Sequence, residues 1–418
     1  MRFKEFTDEW DNIILNDIAE VKGGKRLPKG HTLTDEKNQH PYITVSDMEN
    51  GSVNQNNIKY VPEEIQNKIS QYTITDRDIF ISVAGQRLGI LGIIPPSLNG
   101  ANLTENADKI TNIQINQKFL YHSLETSVLT KLIQKVSTRN AQPKLALKEI
   151  RNIKLVIPQT KQEQEKISNF LDYVDKKIEL MDNNYQYFKA FKKYLLQNIF
   201  AQKLRFDGFN EEWKKTYLKD IGTFYRGHSY NSSNVVNEGL LVLRSNNIQN
   251  NTLNFDEDEL QFVNKDCKPE LNLLDGDIVI CMSNGTKSLV GKSAQYNGNY
   301  NSKLTVGAFC SIFRSDFPLA PYIFQSELYK KYSYLLLAGT NINNLKNSDL
   351  EKLSLYIPSL EEQEKIANFL SSVDQKIDLL KDQISQMEDF KRGLLQSLFV
   401  KIIERIKNIF LYVRLIIN

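Results

Sequence analysis

The string closest to a phosphate-binding loop in this sequence is Gly285-Thr286-Lys287-Ser288-Leu289-Val290-Gly291-Lys292-Ser293. A loop of that kind wraps backbone N–H groups around phosphates, which needs four residues between its glycines and a helix behind it. Here five residues intervene and no helical pattern follows, so nucleotide binding is not expected. Asp175-Lys176-Lys177 has the D-x-K spacing of some nucleases. No Pro-Asp pair occurs in the chain, and the triplet falls on the outside of a heptad helix, so it reads as a solvated charge run. The histidines His31, His40, His122 and His228 are scattered without metal-ligand spacing. Neither an Asn-Pro-Pro-aromatic motif nor a G-x-G-x-x-G is present. No catalytic residue, metal ligand or bound cofactor is therefore expected.

Residues suited to nucleic acid do recur. Lys22-Gly23-Gly24-Lys25-Arg26 is a basic loop whose glycines suit close approach to phosphate. Its equivalent in the second half of the chain contains Arg226 and His228. Arg139, Asn140, Gln142 and Lys144 are of the types that read base edges, Arg on guanine and Asn or Gln on adenine. The equivalent stretch runs from Thr340 to Lys346 and holds Asn341 and Asn343. Gln86, Arg87, Arg244 and Asn246 complete the candidates. Each alone reads equally as an ordinary polar loop; their recurrence at equivalent places favours DNA contact.

These residues need elements to hold them. The chain has 418 residues, 41% hydrophobic and 25% charged, enough for two or three domains with real cores and too apolar for wholesale disorder. The net charge of +3 means that any basic surface must be local. No apolar run is long enough for a membrane span, and Met1–Phe6 lacks the apolar core of a secretory signal. The three cysteines, Cys267, Cys281 and Cys310, form no framework and suit a reducing cytoplasm.

The chain nearly repeats itself once. Arg2-Phe3, Phe6, Glu9-Trp10, Leu15 and Asp17-Ile18 recur at one constant offset as Arg205-Phe206, Phe209, Glu212-Trp213, Leu218 and Asp220-Ile221. Ile157-Pro158 recurs as Ile357-Pro358, and Gln164-Glu165-Lys166-Ile167 as Gln363-Glu364-Lys365-Ile366. Between these matches the halves share a pattern but few letters. A duplication that merely drifted would not so sharply spare one contiguous segment. The alternative is a variable module that reads something, held by a fixed one.

The fixed module is a heptad helix. In the first half, one seam row runs through Ile167, Val174, Met181, Phe188 and Leu195, and the other through Leu171, Ile178, Tyr185, Lys192 and Ile199. The second half repeats it with Ile366, Val373, Leu380, Met387 and Leu394, and with Leu370, Ile377, Ile384, Lys391 and Leu398. Each helix should be about 60 Å long. In-register parallel pairing would set Lys192 against Lys391. Antiparallel pairing separates them, and each is expected to reach water at its own end. The alternatives are helices packed on their own domains, or a chain that dimerises through them.

The expected class is α+β: two α/β modules (1–158 and 207–358) and two long helices (159–206 and 359–405) forming an intramolecular antiparallel coiled coil, a pseudo-twofold tandem repeat. An atypical tail (406–418) follows.

This arrangement resembles the specificity subunit of Type I restriction–modification systems, over about residues 1–400. The resemblance is carried by the paired Phe6…Trp10 and Phe209…Trp213 openings, the paired Ile-Pro…Gln-Glu-Lys-Ile helix starts, and the helices behind them. It implies that the variable modules are target recognition domains, each reading half of a split site in double-stranded DNA. The helices would set the spacing and dock two methyltransferase subunits, with two motor-nuclease subunits joining for cleavage. S-adenosylmethionine, ATP and Mg would be used by those partners, and the chain would be non-catalytic and cytoplasmic, with no membrane role. The stretch Lys401–Asn418 departs from the pattern, since the first half has no counterpart. Two other classes compete: a free-standing DNA-modifying enzyme, for which no motif is seen, and a coiled-coil scaffold with two protein-binding heads.

Overall fold

The structure is a computed structural model that describes residues 2–138, 143–338 and 343–400. Arg139, Asn140, Gln142, Asn341 and the tail Lys401–Asn418 lie outside the described residues. The chain divides into two compact units, one of Met1–Asp182 with Asp382–Asn418 and one of Asn183–Lys381.

Each unit holds one variable module built on two four-stranded sheets. In the first unit one sheet orders Glu20–Gly23, Ala107–Thr111, Ile79–Ser82 and Leu91–Ile93, antiparallel throughout. The other orders Lys59–Tyr60, Pro41–Ile43, Ala101–Leu103 and Thr73–Ile74, with one parallel pair between Pro41–Ile43 and Ala101–Leu103. The second unit repeats this plan with Thr223–Arg226, Cys310–Arg314, Ile278–Cys281 and Ser293–Gln295. Its other sheet again has one parallel pair, Leu240–Leu243 with Leu304–Val306. The strands Ile79–Ser82 and Ile278–Cys281 are buried on both faces.

The long helices are Lys161–Phe200 and Leu360–Leu395, the second closed by a π-helical turn, Gln396–Val400. In the first unit the start of the first helix lies beside the end of the second. Ile167, Leu171 and Val174 share a core with Leu394, Leu395, Leu398 and Phe399, and Ile178 and Met387 pack at its edge. The direction is antiparallel. Glu163 accepts a hydrogen bond from Trp10, whose ring meets Phe399, whereas Lys391 reaches Asp175. In the second unit Leu195 shares a core with Ile366, Leu370 and Val373, flanked by Phe188 and Ile377. Ile384 is half-buried.

The seam lysines are mostly buried and ion-paired and do not extend out to water. Lys391 has its side chain 14% exposed, 2.8 Å from Glu125 and 2.7 Å from Asp175. Lys192 is 2.5 Å from Asp374 and donates to Gln325. A charge in a desolvated seam needs a paired carboxylate, and each module supplies surroundings for one. Asp175 is accordingly a partner in the seam and not part of a solvated run, although Lys176 is exposed.

The repeated helix starts have a structural cause. Glu163, 2% exposed, accepts from Nε and Nη2 of the Arg2 guanidinium at 2.7 and 2.9 Å and from the Trp10 indole N–H at 3.1 Å. Glu362 takes Arg205 in the same two-pronged way. Gln164 and Gln363 donate to the carbonyls of Pro158 and Pro358, closing the turn into each helix. Glu163→Ala would leave a guanidinium and an indole N–H unpaired, and Arg2 is partly open to water. The expected loss is about 2–4 kcal/mol in the first unit, read as a shift of the denaturant midpoint. Glu163→Gln should recover part of it.

The first unit also buries His122 completely. Its Nδ1 is 2.8 Å from Glu125 and its Nε2 2.9 Å from Asp172, so both nitrogens face carboxylates. Burial opposes the charge, but the hydrogen bonds to Asp172 and Glu125 outweigh it, and the imidazole titrates above its ordinary value. A raised histidine stabilises fully below its unfolded value of about 6.5 and loses that contribution as pH rises through the folded value. The first unit should therefore weaken in denaturant titrations as pH rises above about 6.5, and His122→Gln should flatten that dependence. The corresponding surroundings of Lys192 are Tyr322 and Gln325, which carry no such charge.

Candidate nucleic-acid interface

In the first module four loops meet at the turn 104–106. Lys25 N–H donates to the Leu103 carbonyl, Thr104 N–H to Ile43, Val83 N–H to Asn106 and Leu145 N–H to Val83, all at 2.8–3.1 Å. In the second module the same four bonds recur around the turn 307–309. His228 N–H donates to Val306, Gly307 N–H to Leu243, Met282 N–H to Phe309 and Leu345 N–H to Met282, at 2.7–2.8 Å. The loops so gathered are those that carry the sequence candidates.

The side chains displayed differ between modules. In the first, Lys22 is exposed on its strand beside Glu20, Lys25 lies over the Tyr72 ring, and Arg26 is exposed and paired with Glu105. Gln86 is exposed. Arg87 is engaged internally, donating to the Ser46 and Met48 carbonyls and so tying two loops. Lys144 is exposed, and its backbone bridges to Ala84.

In the second module Arg226 is exposed but His228 is buried at 7%, its titration lowered by burial and by Lys265. Arg244 donates to the Glu259 carbonyl and Asn246 to the Glu259 carboxylate. Asn343 donates to the Gly285 carbonyl, and Asn284, which the sequence did not single out, donates to Ser245. The backbone bridges pair Lys144 with Ala84 and Asn344 with Ser283, so Lys144 corresponds to Asn344. Lys346 instead precedes the short helix Asn347–Leu350 as its N-cap, the place Ala146 holds in the first module.

Glycine in these loops also has a cause within the fold. A Cβ on Gly24 would lie 2.1 Å from the Thr104 carbonyl oxygen, and one on Gly227 2.2 Å from that of Gly307. Each is glycine because the loop runs against its own module. The string Gly285–Ser293 passes through a 3-10 turn, Lys287–Leu289, into a strand and not a helix. Among the described residues one trio, His122, Glu125 and Asp175, has ligand atoms within 4.8 Å of one another, and the Lys391 ammonium already sits against its two carboxylates. No described helix is long and apolar enough to cross a membrane.

The family model of the Type I restriction modification DNA specificity domain matches this chain twice, at residues 7–199 and 210–389. The chain belongs to that family. Its two specificity domains are thus the two halves of the repeat. The StySPI specificity subunit of Salmonella potsdam is 33% identical over 196 residues, 45% of this chain and 42% of that protein. The MjaVIII specificity subunit of Methanocaldococcus jannaschii is 24% identical over 425 residues, 96% of this chain and 94% of that one. With the first of these the match spans about two-fifths of the relative's length. A solved S subunit of a Type I system from M. genitalium superposes with a TM-score of 0.57 at 17% identity, over 96% of this chain and 99% of that one, which establishes the shared fold. The two specificity domains therefore share one scaffold and differ in what their loop clusters carry.

Proposed function

We propose that the chain is the DNA-recognition subunit of a Type I restriction–modification complex. Each specificity domain reads one half of a bipartite, asymmetric site through its loop cluster. The long helices set the spacing between half-sites and dock two methyltransferase subunits, and two motor-nuclease subunits join for cleavage. The chain is itself non-catalytic and binds no cofactor; S-adenosylmethionine, ATP and Mg serve the partners, in the cytoplasm.

One observation carries this reading. Two loop clusters held by the same four backbone bonds display different groups, with Lys25, Arg26 and Lys144 exposed in one and Arg226 and Asn344 in the other. A scaffold kept constant while its displayed donors change is what reading two different half-sites requires. Exposed Lys and Arg suit phosphate contact, and Asn and Gln suit base edges.

The test is duplex binding by the chain assembled with its matching methyltransferase subunits, titrated against salt. Sequence-specific binding that weakens steeply with salt supports the proposal. Binding by the isolated chain should be weaker. A scaffold with protein-binding heads would bind no duplex specifically under any of these conditions.

A further inference from the structure

We infer that Phe309 is a base-contacting side chain of the second module, its ring inserting against a base step of the half-site that this module faces. The inference rests on the DNA-recognition reading above. Phe309 is 70% exposed, more than any other large apolar side chain among the described residues. An exposed ring forgoes roughly 1.5–3 kcal/mol of burial, so its persistence in a well-formed turn calls for a cause.

The turn is rigid. The Phe309 carbonyl accepts from both Met282 N–H at 2.8 Å and Ser283 N–H at 3.1 Å, and Cys310 N–H closes the turn on Gly307 at 2.8 Å. The next residue, Cys310, is 1% exposed and strand-paired with Cys281. The ring is thus displayed from a fixed base, and little order remains to be imposed when it meets a partner. The scaffold does not require it. The corresponding residue of the first module is Asn106, whose carbonyl makes the same bond to Val83 N–H. What surrounds the turn also selects the partner, because Asn344, bridged to Ser283, and Lys287, on the loop that follows Ser283, are both exposed, groups that suit base edges and phosphates and not an apolar protein face. An apolar wedge among such donors is the arrangement that unstacks a base step, most cheaply a pyrimidine–purine one.

The experiment uses the chain assembled with its methyltransferase subunits and duplexes carrying 2-aminopurine at successive positions of the second half-site, avoiding the methylated adenine. In the wild-type complex one position should brighten as its base unstacks. Phe309→Ala and Phe309→Asn should lose that signal and weaken binding to the complete site by roughly tenfold or more, while Phe309→Tyr keeps both. Asparagine is the residue the first module uses, so the scaffold should tolerate it, and an unchanged melting curve checks this. If wild type binds its site specifically but no position brightens, and Phe309→Ala binds as wild type does, the proposal is overturned while the recognition reading stands. If wild type binds no duplex specifically, the recognition reading fails and takes this one with it.

Discussion

Lys391→Glu is expected to unfold the first unit under conditions where the wild-type chain is folded. The ammonium lies between Glu125 and Asp175, with its side chain only 14% exposed. Asp172 stands on the far side of His122. Removing one partner of a buried pair typically costs about 3–5 kcal/mol, because the other charge stays desolvated and unanswered. Here two carboxylates would lose their cation, and the substitution adds a third. A domain stable by about 5–15 kcal/mol does not readily absorb this. Lys391→Met should be milder, since His122 still offsets part of the charge. Lys192→Met should be milder again, because Lys192 answers the single carboxylate of Asp374. Denaturant titration followed by fluorescence of Trp10, which packs on Phe399, reports on the affected unit. A Lys391→Glu midpoint equal to that of wild type would mean that the seam does not depend on this pairing.

Gly24→Ala has the second large effect, on recognition as much as on stability. The new methyl would stand 2.1 Å from the Thr104 oxygen and 2.5 Å from the Leu103 oxygen, both backbone atoms that no side-chain rotation can clear. Relief requires breaking the bond from Gly24 N–H to Ala107 or that from Lys25 N–H to Leu103, the bonds that hold this loop in the cluster. The expected cost is about 2–4 kcal/mol, in the range of overpacking and lost backbone hydrogen bonds. Recognition of the first half-site should fall with it, because Lys25 and Arg26 leave their places. Gly285→Ala is the control: nothing lies within 4 Å of its would-be Cβ, so little should change. Methylation of the complete site, measured beside the melting temperature, separates the two substitutions. Equal methylation by Gly24→Ala and wild type would show that the cluster tolerates a displaced loop.

The repeat, the two long helices and their seams were legible because their signals are periodic and local. Ile167, Leu171 and Val174 declare a buried row wherever the partner comes from. The pairing direction was legible too, from two like charges at matching places. The answer to those charges was not, since Glu125 and Asp175 belong to different elements and no spacing links either to Lys391. Glu163 and Glu362 repeat visibly in the sequence, yet their partners Arg2 and Arg205 lie far away in the chain, so the repetition showed a constraint without its cause. A close approach at Gly24 was legible, but not that the neighbour it approaches is the Thr104 carbonyl of its own module. Sequence reveals that a position lacks a Cβ but not what would strike one. Phe309 gave no signal at all, because a ring one residue before a buried strand looks like part of it.

The most direct test of the two-module reading is the methylome of cells that carry a matching methyltransferase subunit, with and without this chain. A bipartite, asymmetric, adenine-methylated motif should appear only when the chain is present, and exchanging its second module should change one half of that motif and leave the other. No new motif, from cells in which the chain is intact and co-purifies with the methyltransferase, would contradict it.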